Sequence, residues 1–237
     1  MKTNSPKSFG AQLHKAQNLV VYIRDFDGYN PPREQEQLAS MTTLVNGLVT
    51  LNDSEAAMKE NYSHAAFLRA KAFRRSGESV EKLLPCIRGA VEAQYGKHSI
   101  ELSIIAGYIR RMRTSRPVCP VAEPDTATEP RAVSRSERSY GAVAGLFRDI
   151  ISALSQFQGY NPAADSLKID SLQALADCLD GMSDNIAQAT VLLKNARTAR
   201  IAQYKELAER VTRIKAYVKA QYGYRSLETT LINQLHF

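Results

Sequence analysis

Basic side chains gather at three places in this chain. Arg69, Lys71, Arg74 and Arg75 form one group, and Arg110, Arg111 and Arg113 a second. The third runs from Lys194 through Arg197, Arg200, Lys205, Arg210, Arg213 and Lys215 to Lys219. Cations at this density could neutralise phosphates along a nucleic acid. Arg197, Arg200, Arg210 and Arg213 are the contacts that such a reading names. A net charge of +7 and a pI near 9.3 are compatible with it. The opposing reading is a solvated helix face. Glu206 lies four residues before Arg210, and Glu209 four before Arg213, the order in which helical ion pairs support each other. The bases also scatter round the helical wheel, whereas specific recognition needs several side chains presented to one groove. The expectation is weak, salt-sensitive attraction at most, without tight sequence-specific binding.

Other chemistry has thinner support. Glu60 and His64 are four residues apart, and His98 and Glu101 three apart, so each pair could share a helix face. A metal centre in a helical bundle needs matching pairs on neighbouring helices, and none is legible. No metal or other cofactor is therefore implied. Cys86, Cys119 and Cys178 are far apart and form no C-x-x-C, which fits neither a zinc site nor a disulfide framework. Cys86 and Cys178 sit beside apolar helical positions and read as buried structural thiols. Cys119 has no base nearby to activate it. There is no G-x-G-x-x-G, no P-loop and no G-x-S-x-G. The absence of Trp argues against an aromatic platform for single strands.

The elements that carry these residues follow a helical period throughout. Leu19, Val20, Ile23 and Phe26 make one apolar stripe; Leu38, Met41, Leu44, Val45 and Leu48 a second; Val80, Leu84, Ile87, Val91 and Tyr95 a third. No stretch alternates with period two. The same stripes then recur. Ile150, Ile151, Leu154 and Phe157 repeat the first. Ile169, Leu172, Leu175, Ala176 and Leu179 repeat the second. Leu207, Val211, Ile214, Val218 and Tyr222 repeat the third.

Short words recur with them. Gly28-Tyr29-Asn30-Pro31 returns as Gly159-Tyr160-Asn161-Pro162, and Ser8-Phe9-Gly10-Ala11 as Ser139-Tyr140-Gly141-Ala142, both 131 residues on. Ala93-Gln94-Tyr95-Gly96 returns as Ala220-Gln221-Tyr222-Gly223, 127 residues on, so four residues are lost between about 52 and 80. Offsets held in order along a chain mark a duplication. The tyrosines common to both copies read as helix-end packing, rings inward and hydroxyls at the edge.

Thr114 to Arg138 separates the copies. With Pro117, Pro120, Pro124 and Pro130 it reads as a semi-extended linker. Gly28 and Gly159 should stop the first helix of each copy; Gly96 and Gly223 should stop the fourth, and these two are expected to take positive φ. The second helices are expected over about 33–51 and 165–181. Asn52-Asp53-Ser54 and Ser183-Asp184 read as caps of a third. Ser76-Gly77 separates the third and fourth helices in copy one, and no such breaker appears in copy two. Pro85 should kink its helix or mark a late start.

Copy two also carries Tyr160-Asn161-Pro162, then Asn195-Ala196-Arg197, then Tyr217-Val218-Lys219-Ala220-Gln221-Tyr222-Gly223. In these segments it resembles a group of uncharacterised helical proteins of Bacteroidetes-type bacteria. That resemblance implies helical architecture and no activity.

The sequence thus reads as all-α: a tandem duplication of a four-to-five-helix bundle, with copy one over 1–113, the linker over 114–138 and copy two over 139–237. The N-terminus shows no signal core and no run reaches membrane-span length, so a cytoplasmic setting is expected. The favoured function is a non-catalytic interaction or scaffold protein, with a protein partner or a second copy of itself. The alternatives are weak nucleic-acid binding through the Arg/Lys-rich helices, and an enzyme whose residues converge only in space.

Overall fold

The computed structural model describes residues 8–113 and 139–236. The Pro-rich stretch Thr114 to Arg138, with Cys119, lies outside them. Seven α-helices and no strand occur among the described residues. They are α1 (Phe9–Asp25), α2 (Leu38–Ala70), α3 (Val80–Tyr95), α4 (Ile100–Arg113), α5 (Tyr140–Gln156), α6 (Ile169–Tyr222) and α7 (Leu227–Gln234). No helix among the described residues is long and apolar enough to cross a membrane.

Local chemistry explains most of the ends. Ser8 and Ser139 cap α1 and α5, each side-chain oxygen accepting from the N–H three residues on at 3.2 Å. After each helix come a glycine with φ near 70° and an Asn-Pro pair, so the helix cannot continue. Short 3-10 turns, Glu34–Glu36 and Asp165–Leu167, lead into α2 and α6.

The expected caps at Asn52-Asp53-Ser54 and Ser183-Asp184 are not caps. α2 runs through the first for 33 residues and α6 through the second for 54. Polar side chains break a helix by bonding to their own backbone in a non-helical form, and these are engaged elsewhere. The Asn52 amide donates to the Tyr204 hydroxyl (2.8 Å). Ser183 donates to the Leu179 carbonyl one turn back (3.0 Å), which a helix tolerates. Past Ala70 the chain widens into a π turn, Lys71–Arg75, where Ser76 N–H reaches the Lys71 carbonyl. Ser76-Gly77 then breaks it. α6 has no break, so the back half holds three helices where the front holds four. Pro85 lies inside α3 on its exposed face and does not delay the start, which is Val80.

The helices sort into two compact units that do not follow the division at 114–138. One takes the residues up to Tyr62 and those from Ala189 onward. Its core joins Leu19 and Ile23 of α1, Met41 and Leu48 of α2, Leu207, Val211, Ile214 and Val218 of α6, and Ile232 of α7. The other unit is Ser63–Gln188. Its core joins Ile87 and Val91 of α3, Ile105 and Ile109 of α4, Phe147, Ile150 and Leu154 of α5, and Leu172 and Leu179 of α6. Each core therefore takes helices from both halves of the sequence. All fourteen paired positions of the three repeated stripes are buried or half-buried in both halves of the sequence, as in Leu48 with Leu179 and Ile87 with Ile214.

Gly96 and Gly223 carry φ of 93° and 91°. Gly96 also has ψ of 162°, which lies outside the left-handed helical region and in a region open essentially to glycine alone. Nothing stands within 4 Å of where a Cβ would sit at either position, so the cost of a side chain there is backbone strain alone. Gly96→Ala and Gly223→Ala should each lower stability by about 1–3 kcal/mol. The two losses should add, since the sites lie in different units. Chemical denaturation of the single and double variants checks this, and a neutral or stabilising substitution at either site would contradict it.

Candidate functional site

The repeated words meet in space across the two halves. A loop that follows a helix leaves carbonyls without helical partners, and here side chains from the last turn of another helix bind them. In the unit containing α1, the Gln221 amide donates to the Gly28 carbonyl (2.7 Å) and the Tyr222 hydroxyl to the Asp27 carbonyl (2.8 Å). The Tyr217 hydroxyl donates to the Asn30 carbonyl (2.7 Å), and its ring meets Tyr29 edge-on at 5.7 Å. Tyr29 in turn donates to the Glu36 carbonyl (2.8 Å), closing the loop on itself.

The unit containing α5 repeats the pattern. Gln94 donates to the Gly159 carbonyl and accepts from the Asn161 N–H. The Tyr95 hydroxyl donates to the Gln158 carbonyl (3.1 Å), and Tyr160 donates to the Leu167 carbonyl (3.1 Å). Phe26 packs on Tyr222 at 5.7 Å and Phe157 on Tyr95 at 5.8 Å. Gly28, Tyr29, Asn30, Gly159, Tyr160, Asn161, Tyr95, Gly96, Tyr222 and Gly223 are thus brought together in two matching sets. Each set joins a loop of one half of the sequence to a helix end of the other half.

Burial raises the pKa of Tyr29, Tyr95, Tyr160 and Tyr222. Tyr160 is pushed up to about 12, first by burial and then by the neighbouring Tyr95 hydroxyl. Tyr29 is raised by burial and then by Tyr217, Glu36 and Tyr222. Phenols held neutral and donating to carbonyls are clasps rather than acids or bases in this pH range.

The four candidate nucleic-acid arginines all lie on α6 and engage acceptors of their own unit. Arg197 Nε–H donates to Glu55 Oε1 (3.1 Å), and Arg200 donates to Oε2 of the same carboxylate (3.0 Å). The Arg200 guanidinium also lies 4.2 Å over the Phe9 ring, and Phe9 packs on Tyr204 at 4.7 Å. Arg210 bonds to Glu206, one turn back as the sequence suggested, and to the Gln35 carbonyl (2.7 Å). Arg213 binds Glu36 rather than Glu209. Glu36 and Glu55 are buried, at 3% and 8% exposure, so each needs a cation. Their role was not legible from periodicity. For Glu55 the available signal was its place seven residues after Leu48, in the register of the buried stripe of α2.

The remaining candidates do not converge. No group of three or more His, Cys, Asp or Glu able to hold a metal occurs among the described residues, and Glu60, His64, His98 and Glu101 gain no further ligand. Cys86 and Cys178 are exposed, not buried. Each is one residue before a buried stripe position, Ile87 or Leu179, and a step of about 100° turns it outward. Of the first basic group, Arg69 and Arg74 stand over the Tyr140 ring at 4.3 and 5.2 Å. Arg110, Arg111 and Arg113 occupy the last turn of α4, where cations suit the helix dipole.

No protein-family model, no curated protein and no solved structure matches this chain.

The clasp makes a prediction in pH. Unfolded tyrosine ionises near 10, whereas Tyr160 keeps its proton to about 12. Above pH 10 the unfolded state binds fewer protons than the native state, so stability falls as pH rises towards 12. The melting temperature should drop across that window. Tyr160→Phe should cost about 1 kcal/mol at neutral pH from the lost hydrogen bond and make the alkaline drop shallower. An unchanged alkaline slope in the variant would contradict the assignment.

Proposed function

We propose that this chain is a non-catalytic helical scaffold: a tandem duplication of 1–113 and 139–237, joined by 114–138, that binds a protein partner. The duplication is supported by the offsets of 131 and 127 and by the matched clasps at Gly28 and Gly159. The scaffold reading is supported by where the polar chemistry goes, since Arg197, Arg200, Arg210 and Arg213 and the clasp tyrosines bind acceptors of their own unit. Free thiols at Cys86 and Cys178 accord with a cytoplasmic setting.

The observation that carries the binding role is a repeated exposure. Ile100 and Leu227 open α4 and α7, directly after Ser99 and the capping Ser226, and are 76% and 71% exposed. Ile104, one turn into α4, is also exposed, and Tyr224, three residues before Leu227, is 79% exposed. Each unit thus presents one apolar helix start to solvent. A pair of modest contacts on one chain binds more tightly than either alone.

Ile100→Glu with Leu227→Glu should leave helicity and melting temperature unchanged within about 0.5 kcal/mol, as exposed substitutions do. Affinity capture from the native host, wild type beside double variant, should then lose partners in the variant. Identical capture by the two proteins would contradict the assignment.

A further inference from the structure

We infer that residues 1–113 and 139–237 are each other's binding partners, and that the covalent connection between them is dispensable for folding. The inference rests on the composition of the two compact units and stands apart from the docking role proposed for Ile100 and Leu227. In the first unit, α1 and the front of α2 have their apolar stripes closed by the back of α6 and by α7. In the second, α3 and α4 are closed by α5 and the front of α6. Neither unit is built from one half of the chain. The polar contacts agree: Gln221 and Tyr222 serve the loop at Gly28, while Gln94 and Tyr95 serve the loop at Gly159. The ion pairs of the two buried glutamates in the first unit also cross the halves, Glu55 to Arg197 and Arg200, and Glu36 to Arg213. A tether raises the effective concentration of two parts that already fit, and its removal takes away that gain without removing a contact.

This makes the chain a fused heterodimer in physical terms. The same surfaces would accept the complementary half of a second copy, so two severed chains should be able to trade halves. The test uses the full chain with a specific protease site placed within 114–138. After cleavage, the two pieces should co-elute at the position of the uncut chain and keep its helicity. Their thermal midpoint should rise with protein concentration, because unfolding then releases two molecules, whereas the uncut midpoint should not move. Cleaved chains with and without an affinity tag, mixed and warmed close to that midpoint, should give hybrids of tagged and untagged halves. Separate elution, a midpoint that ignores concentration, or a failure to form hybrids would each overturn the inference.

Discussion

The structure depends on the closing of each half's apolar stripes by helices from the other half. Leu19, Ile23, Met41 and Leu48 are 0–1% exposed, and their wall is completed by α6 and α7. Burial of each such side chain contributes about 1.5–3 kcal/mol. Four together are comparable to the roughly 5–15 kcal/mol by which a whole domain is stable. Much of that burial depends on the arrival of the other half. The length of α2 and α6 follows from the same constraint. Each helix contributes residues to both units, α2 changing over after Tyr62 and α6 after Gln188, so neither can end where a four-helix module would have turned.

Charge adds selectivity to that closure. Position 36 is a buried glutamate, while the position 131 residues later is the buried Leu167. Arg213 answers Glu36, while the position 127 residues earlier is the exposed Cys86. Were α3 to take the place of α6 against α1 and α2, Glu36 would be left without its cation. An orphaned charge of a fully buried pair costs about 3–5 kcal/mol, and less here, since the Arg213 side chain is 36% exposed. The pair need contribute little net stability to have this effect, because it penalises the wrong partner. The unit built on α5 has leucine at the matching place and relies on shape.

Helical class, apolar stripes and repeated words were all legible in the sequence, because each obeys a short-range rule. Ser8 and Ser139 cap because their neighbours allow it, and Gly96 and Gly223 stop helices because their φ permits nothing else. The continuity of α6 was legible only in part: no breaker stands between 185 and 222, but a helix end was expected before Ser183-Asp184, through which α6 runs. Which half closes which core was not legible. The stripes of the two halves are so alike that α1 matches α3 and the back of α6 equally well by period, and only three-dimensional pairing separates the two arrangements. The false caps at Asn52 and Ser183 failed for a related reason, since a polar side chain caps or not according to what else it can reach. Glu55 was overlooked because an acid inside an apolar register reads as an interruption until its arginines are known, and Glu36 because it stands in the short turn ahead of α2.

The central claim is tested most directly by contacts between aromatic rings that only one pairing allows. Selective labelling of phenylalanine and tyrosine, with resonances assigned by single substitutions, would permit measurement of nuclear Overhauser effects between the rings in solution. Reciprocal closure predicts cross-peaks from Tyr222 to Phe26 and from Tyr95 to Phe157, whose centroids lie 5.7 and 5.8 Å apart. Cross-peaks from Tyr95 to Phe26 and from Tyr222 to Phe157 would mean that each half closes its own core, and would contradict the account.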